Sequence, residues 1–118
     1  MPWKRSGFQA ISTVEVFILA LAHLSIVPLG TGSTSLSPFV AACEKELQLH
    51  GEGLKYELTA MGTIIEGDLD RILTVIRRLH EVPFEAGAVR VSTSIRIDDR
   101  RDKKGSIDQK VQSVKEKL

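Results

Sequence analysis

The chain has 118 residues, 42% apolar and 26% charged, which suffices for one domain with one hydrophobic core and is too short for two ordinary ones. Sixteen basic against fifteen acidic residues leave a net charge of +1, which excludes the broad basic footprint of a nucleic-acid binder. The single cysteine excludes an intrachain disulfide and a cysteine-based zinc cluster, and such usage fits a reducing, cytoplasmic setting.

Residues 1–17 read as a loosely ordered extension, and residues 18–118 as the domain. The apolar run VEVFILALAHL is too short to span a bilayer and is interrupted by Glu15 and His23. No small-residue cleavage site follows it, so a signal peptide is not expected. The first strand is placed from Ile18 to Pro28, with the proline at its end.

The loop LGTGSTS then leads into a helix, with Ser37 predicted as N-cap and Pro38 as first helical residue. A strand, a glycine-rich loop and a helix can cradle phosphate, but the residues fail the specific tests. No lysine follows Gly30 or Gly32 as a P-loop requires, and Ser35 stands where a dinucleotide fingerprint needs its third glycine. The loop reads as a tight turn that could also touch a small polar ligand.

The helix runs to about His50 with Phe39, Cys43 and Leu47 on one face, which predicts a buried core thiol at Cys43. Gly51 and Gly53 end it. LKYELTAMGTIIEG predicts a hairpin turning at Ala60-Met61, pairing Leu58 with Thr63, Tyr56 with Ile65 and Lys55 with Glu66. Leu54, Tyr56, Leu58, Thr63 and Ile65 then share the core face, and Lys55, Glu57, Thr59, Ile64 and Glu66 the other.

Asp68 caps a second helix with the stripe Leu69, Ile72, Leu73, Ile76 and Leu79, which Pro83 should end or kink. The last strand alternates Val89, Val91, Thr93, Ile95 and Ile97 against Arg90, Ser92, Ser94 and Arg96. After the mixed-charge loop DDRRDKKG, Ser106 and Gln109 form a capping box for a final helix with the stripe Ile107, Val111, Val114 and Leu118. The order is β-α-β-β-α-β plus a C-terminal helix, an α+β ferredoxin-like sandwich. Two helices cover one sheet face, and the other face is left open to a partner subunit or ligand.

Catalytic and metal constellations are absent from the pattern. His23, His50 and His80 lack ligand spacing, and neither a nucleophile elbow nor a nucleophile–base pair is evident. No metal, cofactor or enzymatic activity is expected.

Three segments resemble the small thiamine-binding, YkoF-like proteins: SIVPLGTG (25–32), GLKYELTAMGTIIEGDLD (53–70) and TSIRIDDRRDKK (93–104). The resemblance covers about residues 20–118 and implies a ferredoxin-like subunit whose dimers join edge strands and pair into tetramers. It implies non-catalytic binding of thiamine or its hydroxymethylpyrimidine portion, with Thr31, Tyr56, Glu57, Thr59, Met61 and Thr63 as ligand-binding positions. It implies neither nucleic-acid nor membrane partners. Ala60 departs from the family, which more often has proline there. The alternative from another class is a structural or regulatory homo-oligomer that uses the same open face only for assembly.

Overall fold

The computed structural model describes residues 19–102 and 106–118. Along the chain lie β1 (Ala20–Pro28), α1 (Ser37–His50), β2 (Lys55–Thr59), β3 (Gly62–Gly67), α2 (Leu69–Glu85), β4 (Val91–Asp99) and α3 (Ile107–Glu116). The strands form one antiparallel sheet in the order β2-β3-β1-β4. The fold is α+β with a four-stranded sheet and three helices, consistent with the ferredoxin-like arrangement. The extension expected over residues 1–17 lies outside the described residues, as does Ile18; Leu19, expected in the first strand, precedes it, and the strand begins at Ala20.

The hairpin has the register its alternation predicts: Lys55 opposite Glu66, Tyr56 opposite Ile65 and Leu58 opposite Thr63. Cross-strand neighbours share a face, so Tyr56, Ile65, Ala22 and Ile97 form one row on the helix side of the sheet. Lys55, Glu66, Leu21 and Asp98 form a row on the far side. The small side chains of Ala20 and Ala22, both buried, let helix α2 approach β1 closely.

Helix α2 supplies the largest share of the core. Asp68 caps it by accepting a hydrogen bond from the Arg71 amide at 3.2 Å, and Ile72, Val75, Ile76, Leu79 and Val82 are buried. Each such burial is worth about 1.5–3 kcal/mol relative to exposure. Leu73, expected in the stripe, is exposed, because a face centred on Ile72, Ile76 and Leu79 leaves it at the margin and brings in Val75 instead. The helix also continues through Pro83 to Glu85 rather than ending there. Proline has no amide to offer the carbonyl four residues earlier. That carbonyl, of Leu79, accepts instead from the Cys43 thiol of α1 at 3.9 Å.

Helix α1 departs from expectation at its start. Leu36, not Ser37, is the N-cap, with no side-chain cap bond, and the amides of Phe39 and Val40 both donate to its carbonyl at 3.0 Å. The Ser37-Pro38 pair lies one position inside the helix, where Pro38 still loses nothing because the first-turn amides have no helical partner. Arg78 of α2 ties the two helices, donating to Glu46 of α1 at 3.0 Å and to Glu85 at 2.6 Å. The hydrogen bond from Arg78 holds the Glu85 carboxyl below its ordinary range.

Strand β4 begins at Val91, leaving Val89, expected in its inward row, 88% exposed. Ile95 and Ile97 are also exposed. His80 of α2 and Thr93 of β4 meet at 2.7 Å, Nδ1 to Oγ1.

Helix α3 lies across one end of the far sheet face. Its Ser106 cap accepts from the Gln109 amide at 3.0 Å, and the Ile107 amide donates to Glu66 at 2.8 Å. Asp108 pairs with Lys55 at 2.5 Å and Lys110 with Asp98 at 2.9 Å, both on the far-side row. Only Ile107 of its expected stripe is buried; Val111, Val114 and Leu118 are exposed, because one turn alone sits against the sheet. In the loop before it, Arg101 pairs with Asp99 at 2.8 Å and Arg100 with Asp102 at 2.5 Å, so its described charges are matched locally. No helix among the described residues is long and apolar enough to cross a membrane.

Candidate functional site

A cavity of about 300 Å³ opens between α1, the second half of β1 and the tip of the β2–β3 hairpin. Helix α1 and its N-cap form one wall with Leu36, Val40, Cys43 and Leu47, whose spacings of four, three and four place them on one helix face. This face keeps the expected Cys43 and Leu47 but carries Val40 in place of Phe39, and the Cys43 thiol, expected inside the core, is half-buried on the cavity wall. That placement explains why Leu47 alone is buried on α1: the helix's apolar side faces a space instead of the sheet.

Residues 24–27 of β1 form the opposite wall, and Leu79 of α2 contributes from below. The hairpin closes the outer end from Leu58 to Thr63. Met61 at 79% exposure and Leu58 at 52% make its lip. The polar side chains on the lining are Ser25, Thr59 and Thr63, besides the Cys43 thiol, and none of the lining residues carries an ionised group. A largely apolar hollow with few polar groups is the usual form of a small-molecule site.

Both threonine hydroxyls are already engaged. Thr59 Oγ1 donates to the Gly62 carbonyl at 2.8 Å and accepts from the Met61 amide at 3.2 Å, which fixes the hairpin turn. Thr63 Oγ1 donates to Oε2 of Glu44 on α1 at 3.2 Å. Burial first, then the carboxylates of Glu44 and Glu46, push the Cys43 thiol up from 9.0 to about 11. Carboxymethylation at pH 8 should therefore proceed roughly a hundredfold slower in the folded protein than in urea, as read by mass spectrometry over time. The neutral thiol contributes stability in full below about pH 9, and that contribution is lost as pH rises through about 11. Among the described residues, no group of three His, Cys, Asp or Glu side chains is placed to hold a metal ion.

The model for the thiamine-binding protein family matches residues 22–115, almost the whole described domain. The chain belongs to this family. The UPF0045 protein YqgV of Bacillus subtilis is 47% identical over 102 residues, covering 85% of this chain and 98% of its own length. The solved structure of protein MJ1052 from Methanocaldococcus jannaschii superposes with a TM-score of 0.74 at 37% identity, covering 83% of this chain and 97% of that one. A Thermotoga maritima structure, described as a candidate thiamine biosynthesis/salvage protein, superposes with a TM-score of 0.67, covering 81% of this chain and 98% of that one. Its 21% identity speaks to the fold alone.

In this member of the thiamine-binding protein family, the cavity brings together Thr59, Met61 and Thr63 of the six positions singled out in the sequence. The other three are not on its lining. Tyr56 packs against the core from the helix side, and Glu57 is exposed on the far face opposite Ile64. Thr31 sits between Gly30 and Gly32, whose φ values of 73° and 79° fold the loop tightly. Its hydroxyl donates to the Ser33 carbonyl at 3.1 Å, within its own loop. Of the α1 wall, Cys43 and Leu47 were expected on one face, whereas Leu36 was missed because it reads as loop and Val40 because Phe39 was taken in its place. Glu44 was missed because only the tertiary fold brings it to Thr63. Counting i, i+4, i+7 and i+11 from Leu36 would have found the wall.

Proposed function

We propose that this chain binds thiamine or its hydroxymethylpyrimidine portion in the cytoplasm, without catalysis, in salvage, transport or sensing. The observation that carries the reading is the apolar hollow at the hairpin tip, with Thr59 and Thr63 on its wall and Met61 at its lip. A flat heteroaromatic ring suits such walls, and the soft Met61 thioether suits its face. Membership of a family named for thiamine binding supports the same ligand class and a binding role. The scaffold is read as ferredoxin-like, with dimers joined at edge strands and paired into tetramers. Thr31, Tyr56 and Glu57 belong to the same ligand site only where it extends around the hairpin tip or across a subunit boundary.

Titration calorimetry with thiamine and with hydroxymethylpyrimidine tests the reading, with saturable binding to at least one of them as the expected result. No heat and no amide shift at millimolar ligand would overturn it. The second reading, a structural or regulatory homo-oligomer without a small-molecule ligand, is favoured by the exposed apolar residues Val111, Val114, Ile95 and Ile97. Defined oligomers by sedimentation, together with silent calorimetry, would select it.

A further inference from the structure

The cavity lining carries no charge, yet a carboxylate stands directly behind its polar wall. Glu44 follows Cys43 on α1, and its Oε2 accepts from Thr63 Oγ1, a lining group, at 3.2 Å. The other glutamates of the two helices are matched by cations. Glu46 receives Arg78 at 3.0 Å and lies 3.6 Å from His50, Glu81 receives Arg77 at 2.7 Å, and Glu85 receives Arg78 at 2.6 Å. Among the described residues, no Lys, Arg or His side chain lies within 4.0 Å of the Glu44 carboxylate.

A partly buried carboxylate with one hydroxyl donor keeps most of its acceptor capacity unused, and its desolvation is uncompensated by an opposite charge. Its field also reaches the lining, since Glu44 is the leading charge, after burial, that raises the Cys43 thiol. The rest of the hollow offers neither a competing anion nor a cation.

We infer that Glu44 is the charge-recognising residue of the cavity, oriented by Thr63, and that the site selects a positively charged heteroaromatic ring over a neutral one of the same shape. The inference rests on the binding function proposed above and adds the charge of the ligand and the residue that reads it. Glu44 meets the ring's charge, the aliphatic walls of α1 and β1 hold its faces, and Thr63 holds the carboxylate in place. A charge-assisted contact of this kind in a nonpolar surround is worth roughly a tenfold to hundredfold gain in affinity.

The test compares thiamine with its neutral thiophene isostere, 3-deazathiamine, by calorimetry on the wild-type chain at neutral pH. The isostere is expected to bind at least about tenfold more weakly. With Glu44→Gln, thiamine affinity should fall by a similar factor while the isostere changes less than about threefold. Thr63→Val should reproduce part of the thiamine loss. Equal wild-type affinity for the two ligands, or unchanged thiamine affinity in a folded Glu44→Gln variant, would overturn the inference and leave the binding function standing. Absence of any thiamine binding to the wild type would overturn both. The wild-type comparison decides the charge selection even where the Glu44 variant does not fold, and Thr63→Val then tests the residue.

Discussion

Ile65→Ala is expected to lower the unfolding free energy by about 3–4 kcal/mol, the range for deleting most of a fully buried aliphatic side chain. Ile65 is 0% exposed at the centre of β3, flanked by Ala22 on β1 and Tyr56 on β2, beneath the buried stripe of α2. The neighbouring Ala22 has no atoms to move into the vacated space, so the hollow stays open and the full cavity cost applies. Urea denaturation followed by circular dichroism measures the loss, which corresponds to roughly 15–25 °C in melting temperature for a domain of this size. A shift below about 1 kcal/mol would show that the core is centred elsewhere.

Gly62→Ala should cost about 3 kcal/mol, and it should also damage the ligand site. Gly62 opens β3 with φ 145°, a backbone conformation that side-chain-bearing residues avoid. An added Cβ would lie 2.5 Å from the Leu24 carbonyl oxygen and 2.8 Å from His23 Nε2. The imidazole can swing aside, but the carbonyl belongs to β1, so the hairpin tip itself must shift. Thr59 bonds the Gly62 carbonyl at 2.8 Å, and Thr59, Met61 and Thr63 all line the cavity, so that shift opens its outer end. Gly87→Ala is the control: φ is 105° there too, but the space is open, and the cost should stay near about 1 kcal/mol. Thermal melts of both variants beside thiamine titrations of the Gly62 variant check the pair. Equal melts would show that the close approach to Leu24 does not exist in solution.

What could be read in advance divides along physical lines. The hairpin register was legible because a two-residue turn and a period-two pattern leave one pairing that keeps Tyr56 and Ile65 inside. The Asp68 cap and most of the α2 stripe were legible because they depend on local chemistry and a strong 3.6-residue period. The start of α1 was not, because Ser37-Pro38 is a good local signal that loses by one residue to Leu36, a side chain that lines the cavity. The cavity is a gap between elements, and a stripe of apolar residues facing a gap has the same pattern as one facing a core. The exposure of Val111 and Val114 was hidden for a similar reason: amphipathicity states that a face wants cover, not that the chain provides it. The pairing of Glu44 with Thr63 spans two elements and has no signature at either position.

The thiol that reaches from Cys43 to the Leu79 carbonyl ties the identity of two distant positions together. Pro83 creates the need by withholding an amide, and Cys43 meets it from the neighbouring helix. In evolutionary terms the two sites should covary. A relative with a non-proline residue at the position of Pro83 restores the helical amide and is released to carry alanine or valine at the position of Cys43. A relative that keeps the proline should keep a small donor there, serine or threonine where not cysteine.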